Sequence, residues 1–208
     1  MTYLYAYVHW FFRRRASRNG AHVGVARTPR ERWIEEGLHV LATSGVDAVR
    51  VEALAKRIGV TKGGFYGYFA DREALLTAML EAWEREAVDE VLAKVDNAGL
   101  DPKNRARMAG VLTLSDHRLL PIDLAVRDWA RRDDDVATRL RRVDNARMAL
   151  LRETIGEFCD DPDEVEARAL LAFCAVIGGH FLAADHEGRT RVEVLIRAAD
   201  LLFEPRNR

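Results

Sequence analysis

Cysteine and long apolar runs are scarce in this chain, and each shortage excludes something. The two cysteines, Cys159 and Cys174, have no metal-like spacing. A reducing, cytoplasmic setting is the simplest reading of so few thiols, with a disulfide between them left open. The most apolar N-terminal run, residues 3–12 (YLYAYVHWFF), is too short to span a bilayer. Its arginines follow it, whereas a secretory leader carries its charges first. No stable membrane association is expected. Enzyme signatures are missing too. Gly63-Gly64 lacks the spacing of a phosphate-binding loop, and no Gly-x-Ser-x-Gly elbow occurs. His180 and His186 lie six apart, a poor match for one helix face. No enzyme activity, catalytic residue, metal site or cofactor is expected. A net charge of −1 excludes a polycation, so any affinity for nucleic acid must come from local charge.

What remains is a helical protein with a sizeable core. The 208 residues are 49% hydrophobic and 31% charged, a globular balance with room for one or two domains. No strand-like alternation of useful length appears, so the fold class is all-α, with about nine helices. Ile34, Leu38 and Leu41 recur at i, i+4 and i+7, with Thr28-Pro29 before them and Ser44-Gly45 after. Further helices are expected over 51–58, 62–68 and from a cap at Asp71 to about Val95. Others run from Pro102 to about Thr113, from Pro121, from after the charged Arg131–Asp135 break to near Phe158, from Asp161-Pro162, and from about Thr190 to Phe203. Residues 1–30 hold six arginines and no acid. That arm, residues 1–27, reads as disordered and basic. It suits phosphate or minor-groove contact, and a solvated tail or an upstream-extended start at least as well; contact of its aromatic patch with a membrane surface is the lesser alternative.

Residues 50–76, RVEALAKRIGVTKGGFYGYFADREALL, carry the most functional information. They read as a helix, a tight turn and a short second helix. Ala55 supplies the small residue that a close helix crossing needs, and Gly59 tolerates the positive φ of the turn. Val60 and Phe65 are expected to pack back on Leu54 and Ile58. The second helix is then free to enter a major groove. An ordinary helical hairpin is the plainer alternative.

The run from Thr61 to Phe69, followed by Asp71 to Leu76, resembles the signature of TetR-family transcriptional regulators. Residues 32–45 resemble that family's first helix. The resemblance covers residues 30–80 and implies a helix-turn-helix DNA-binding domain over 28–75. It also implies a helical ligand-binding and dimerisation domain over 76–208. The implied function is a ligand-responsive repressor that binds a double-stranded operator as a homodimer. The last two helices would form the dimer, and an unknown small-molecule effector would release the DNA. The two recognition helices would sit about 34 Å apart. The alternative is a non-enzymatic helical interaction module, or a membrane-peripheral adaptor using the aromatic arm.

The DNA-binding candidates follow from position. Thr61 can cap the recognition helix and reach a phosphate. Lys62 sits at its exposed start. Gly63 and Gly64 permit close backbone approach, each at a cost of roughly 1 kcal/mol in helix propensity. By resemblance, Tyr66 and Tyr68 contact phosphates and Arg72 grips the backbone. Arg50 stands where relatives often carry Ser or Thr, and it too can bind phosphate. Gly67 has no side chain to read a base, which leaves readout to Lys62, Arg50 or DNA shape.

The second domain gives weaker signals. Trp83, Met108, Leu112, Trp129, Met148, Phe173 and His180 are candidate effector contacts, bulky or polar-tipped residues on its helices. Each also suits plain core. Residues 164–183 are apolar on more than one face, and Gly178-Gly179 would allow a neighbouring backbone close.

Overall fold

The computed structural model describes residues 29–99, 104 and 118–203. The expected N-terminal arm, the expected helix from Pro102, and candidates Met108 and Leu112 lie outside the described residues. Contacts divide the chain into Met1–Arg32 and Trp33–Arg208. Of the first unit only residues 29–32 are described, the opening turn of a helix.

Among the described residues, every regular element is helical. Helix α1 is Pro29–Ser44. A 3-10 turn, Val46–Ala48, leads to α2, Val51–Ile58. Helix α3 is Lys62–Phe65 and α4 is Arg72–Glu84. A π-turn, Arg85–Asp89, carries α4 into α5, Glu90–Asp96. Helices α6 (Leu119–Ala130), α7 (Asp134–Gly156), α8 (Pro162–Gly178) and α9 (Arg191–Phe203) follow. None of the described helices is long and apolar enough to cross a membrane.

The expected start signals act as physical caps. Asp71 accepts from the Ala74 amide at 2.8 Å. Asp133 accepts from the Asp135 and Val136 amides, each at 3.1 Å. Asp161 accepts from the Asp163 amide at 3.0 Å, with Pro162 opening α8. At α9, Thr190 and Glu193 cap each other: the Thr190 amide donates to Glu193 and the Glu193 amide to the Thr190 hydroxyl. Each bond satisfies a donor that the helix leaves unpaired.

The expected apolar stripe of α1 is buried: Ile34, Leu38 and Leu41, with Trp33 beside them. These side chains join Leu54, Phe65, Leu75, Met79 and Trp83 in one large core, which continues through Ile122, Val126 and Val143. A smaller core gathers Ile155, Ala169, Ala172 and Phe203 from α7, α8 and α9. The two cysteines are free thiols.

Several boundaries differ from the expectation. The third helix ends at Phe65 rather than residue 68, and turn bonds from the Tyr68 and Phe69 amides to the Phe65 carbonyl close it. Two adjacent glycines leave little propensity to carry it further. Helix α8 stops at Gly178 rather than 183, and turns continue to residue 181. Close approach belongs to Gly179 alone. A Cβ there would meet the Ala175 carbonyl oxygen at 2.9 Å and the Leu195 side chain at 3.4 Å, whereas Gly178 faces open space.

Candidate nucleic-acid interface

The recognition helix is short but firmly anchored. Gly59 ends α2 at φ 74°, the left-handed region that glycine favours. The Val60 amide then donates to the Ala55 carbonyl at 3.0 Å. Ala55 is buried as expected, but Val60 is 43% exposed and lies outside the core that holds Leu54. The left-handed step turns the chain outward before α3 begins. Phe65 makes the anchor instead. It is fully buried, edge-on to Trp33 at 5.1 Å and stacked with Phe69 at 5.3 Å.

Around that anchor, Thr61, Lys62, Gly63, Gly64, Tyr66, Gly67 and Tyr68 are all exposed. Thr61 holds the cap position of α3, but its side chain makes no capping hydrogen bond, contrary to expectation. A Cβ on Gly64 would touch nothing within 4 Å, and one on Gly63 only the Thr61 hydroxyl at 3.8 Å. The fold itself therefore has no steric need for glycine at either position. Tyr66 is edge-on to Phe65, 5.3 Å away, and remains 55% exposed.

The cationic candidates are placed in three different ways. Lys62 is ion-paired with Glu52 of α2. Hydrogen bonding and charge from Lys62 hold the Glu52 carboxyl below its usual range, and Glu52 raises the Lys62 ammonium in the same way. Both groups are solvent-exposed, so the pair is weakly held. Arg50 is exposed and uses one nitrogen, Nε, to donate to the Asp47 carbonyl at 3.2 Å. Arg72 is turned inward. Its Nε donates to the Val49 carbonyl at 2.7 Å and its Nη2 to the Val46 carbonyl at 2.8 Å. The guanidinium fork thus holds the turn before α2. Sequence reasoning missed Glu52 and this inward fork.

The effector candidates do not form one constellation. Trp83 is fully buried and donates from Nε1 to Asp123 at 3.3 Å. Phe173 lies 5.6 Å from the Arg127 guanidinium. Met148 packs on the smaller core. Trp129 and His180 do come together, lining a cleft at the ends of α1 and α6. Among the described residues, no group of three or more His, Cys, Asp or Glu side chains is placed to hold a metal.

Known proteins match the helix-turn-helix segment in sequence and the chain in fold. Residues 34–79 match the family model of bacterial regulatory proteins, tetR family. An uncharacterized HTH-type transcriptional regulator of Bacillus subtilis (strain 168), YuxN, is 32% identical over 74 residues, which are 36% of this chain and 25% of that protein. The chain thus spans about a quarter of that relative's length. A TetR transcriptional regulator from Legionella pneumophila superposes with a TM-score of 0.72 at 16% identity, covering 87% of this chain and 100% of that one. A transcriptional regulator from Saccharomonospora viridis, solved in complex with choline, gives 0.70 at 16% identity, covering 83% and 94%. The family match thus covers the helix-turn-helix segment, residues 34–79, and the chain shares the fold of these solved regulators.

Proposed function

We propose that the protein is a cytoplasmic, ligand-responsive transcriptional repressor that binds its operator as a homodimer. One observation carries the DNA-binding part: a recognition helix bolted down by buried Phe65 that presents Lys62, two bare glycines and Tyr66 to solvent. Glycine costs helix propensity, and nothing in the free fold demands it here. Close approach of a second backbone gives it a purpose. Arg50 and Lys62 would meet phosphates or base edges, and Tyr66 and Tyr68 phosphates.

The dimer is supported by apolar surface. Leu170 and Leu171 on α8 are 53% and 56% exposed, and Leu201 on α9 is 62% exposed. Such side chains on adjoining helices suit burial against a second copy. Two copies would present two recognition helices to successive major grooves. Effector release would work by population shift, the ligand favouring a dimer whose recognition helices no longer match the groove spacing.

The test is a gel shift on the DNA upstream of the protein's own gene, across a salt series with non-specific competitor. Competitor-resistant binding that weakens steeply with salt supports the reading, because phosphate contacts release counterions. The double variant K62A/Y66A should lose that binding and remain dimeric. Normal binding by the double variant would refute the proposed reading head.

A further inference from the structure

The cleft where α1 and α6 end lies outside the recognition surface and has its own electrostatics. Its volume is ≈ 480 Å³, within the range of small-molecule sites. Leu41, Val46, Leu120 and Leu124 give it an apolar wall. Two helix C-termini converge there, Leu41–Ser44 of α1 and Asp128–Trp129 of α6. Each terminus acts as a partial negative charge. The last turn of α1 contains no basic residue. The basic residue in the last turn of α6, Arg127, donates all three of its nitrogens to Asp123 and Asp144.

The side-chain charges point the same way. Arg132 lines the cleft and serves two carboxylates, Asp128 at 3.3 Å and Asp47 at 3.4 Å. Arg132 is divided between Asp128 and Asp47, so the lining carboxylate Asp128 is only partly neutralised. His180 also lines the cleft, and its Nε2 is buried without a hydrogen-bond partner. Burial and the neighbouring Arg191 push the His180 pKa down, so its ring is neutral at pH 7 and does not oppose a cation.

We propose that this cleft binds an organic monocation with an apolar body. The cationic head sits at Asp128 and the carbonyl end of α1, and the body lies along Leu120 and Leu124. Arg132 ties the end of α6 to Asp47, in the turn just before α2. A cation at Asp128 competes with Arg132 for that carboxylate and leaves Arg132 to Asp47 alone, so it changes the tie between α6 and the turn before the reading head. That consequence rests on the DNA-binding reading; the binding itself does not.

Titration calorimetry with benzyltrimethylammonium, benzyl alcohol and benzenesulfonate tests the site on the full chain. The cation should bind once per chain, and the alcohol and the sulfonate should bind far more weakly. D128N should weaken the cation by about two- to fivefold, and L124W should fill the cleft and block it. R132Q removes the competing charge and should tighten cation binding, an outcome that misfolding cannot mimic. Equal binding of cation and alcohol, or an unchanged affinity in both D128N and R132Q, would overturn the proposal. A gel shift with the same cation reads the coupling separately. If the protein binds no operator at all, the DNA-binding reading fails while calorimetry still decides the cleft.

Discussion

Lys62, the first residue of the recognition helix, is held by Glu52 at the start of the helix before it. A phosphate that engages Lys62 must displace this carboxylate or share the ammonium with it. Glu52 also places negative charge next to the approaching DNA. E52Q should therefore raise operator affinity by about three- to tenfold at low salt, since exposed pairs are weak but the repulsion is direct. K62A should lower it, and E52Q should add little on top of K62A. Fluorescence-anisotropy titrations of the two single variants and the double variant measure the coupling. Equal effects of E52Q with and without Lys62 would mean that the pair does not control access to DNA.

Gly63 and Gly64 offer a trade between stability and binding. Neither has a positive φ, and neither would clash if given a Cβ. Alanine at either position should stabilise the free protein by about 0.5–1 kcal/mol, read from chemical denaturation. The same methyl group would stand between the helix and a closely approaching DNA backbone. G63A and G64A should thus raise the melting temperature and weaken operator binding. A variant that gains stability and binds the operator unchanged would remove the case for close approach at that position.

Arg72 separates a structural from a DNA-contacting role. Its fork holds the Val46 and Val49 carbonyls, and a lysine cannot donate with the same two-pronged geometry. R72K keeps the charge, so a phosphate grip would survive it. If the carbonyl fork dominates, R72K and R72A should lose similar stability, about 1–3 kcal/mol, because carbonyls in a tight turn lose charge-assisted partners. The salt slope of operator binding should stay near that of the parent. A normal melting temperature with a reduced salt slope would return Arg72 to the phosphate-contacting set.

What the sequence made legible was local. The left-handed Gly59 is marked by its own residue type, as are the caps at Asp71, Asp133 and Asp161 and the buried stripe of α1. Val60 was misplaced because the turn at Gly59 redirects the chain, and an apolar residue just after it looks like core on a helical wheel. The pairs that tie the fold together leave no local pattern. Arg118 reaches Glu35 across 83 positions, and Arg132 reaches Asp47 across 85. The π-turn at Arg85–Asp89 was equally silent, because the sequence there still reads as one long helix. It presents Glu86 to Arg118.

Asp123 is a second feature that only packing reveals. It is fully buried, takes the Trp83 indole N–H at 3.3 Å and accepts from Arg127 Nε at 3.1 Å. Arg147 Nη2 lies 2.9 Å away, without hydrogen-bond alignment. Two guanidinium groups thus share this sequestered carboxylate, with Asp144 as their second, partly exposed partner. D123A should cost about 3–5 kcal/mol, because it leaves buried positive charge uncompensated. D123N keeps an acceptor for Trp83 and Arg127 and should cost less. A loss below about 1 kcal/mol for D123A would show that Asp144 alone neutralises both arginines.

His180 makes the stability pH-dependent, and the sign follows from its environment. Burial and Arg191 lower its pKa from the ordinary 6.5, so the folded chain favours the neutral ring. Arg191 is fixed in place, donating from Nη1 to the Gly179 carbonyl at 2.7 Å. As pH falls through about 6.5, the unfolded chain takes up a proton that the folded chain resists. The stabilisation is therefore complete above that value and is lost progressively as pH falls toward the folded pKa. Melting temperatures of the parent should drop between about pH 7.5 and 5.5, and H180Q should show a shallower drop over the same window. Quinary buffer sets at fixed ionic strength keep the Arg191 interaction constant across the series. If H180Q melts in parallel with the parent at every pH, the proton uptake belongs to other groups and His180 is as free to titrate in the folded protein as in the unfolded chain.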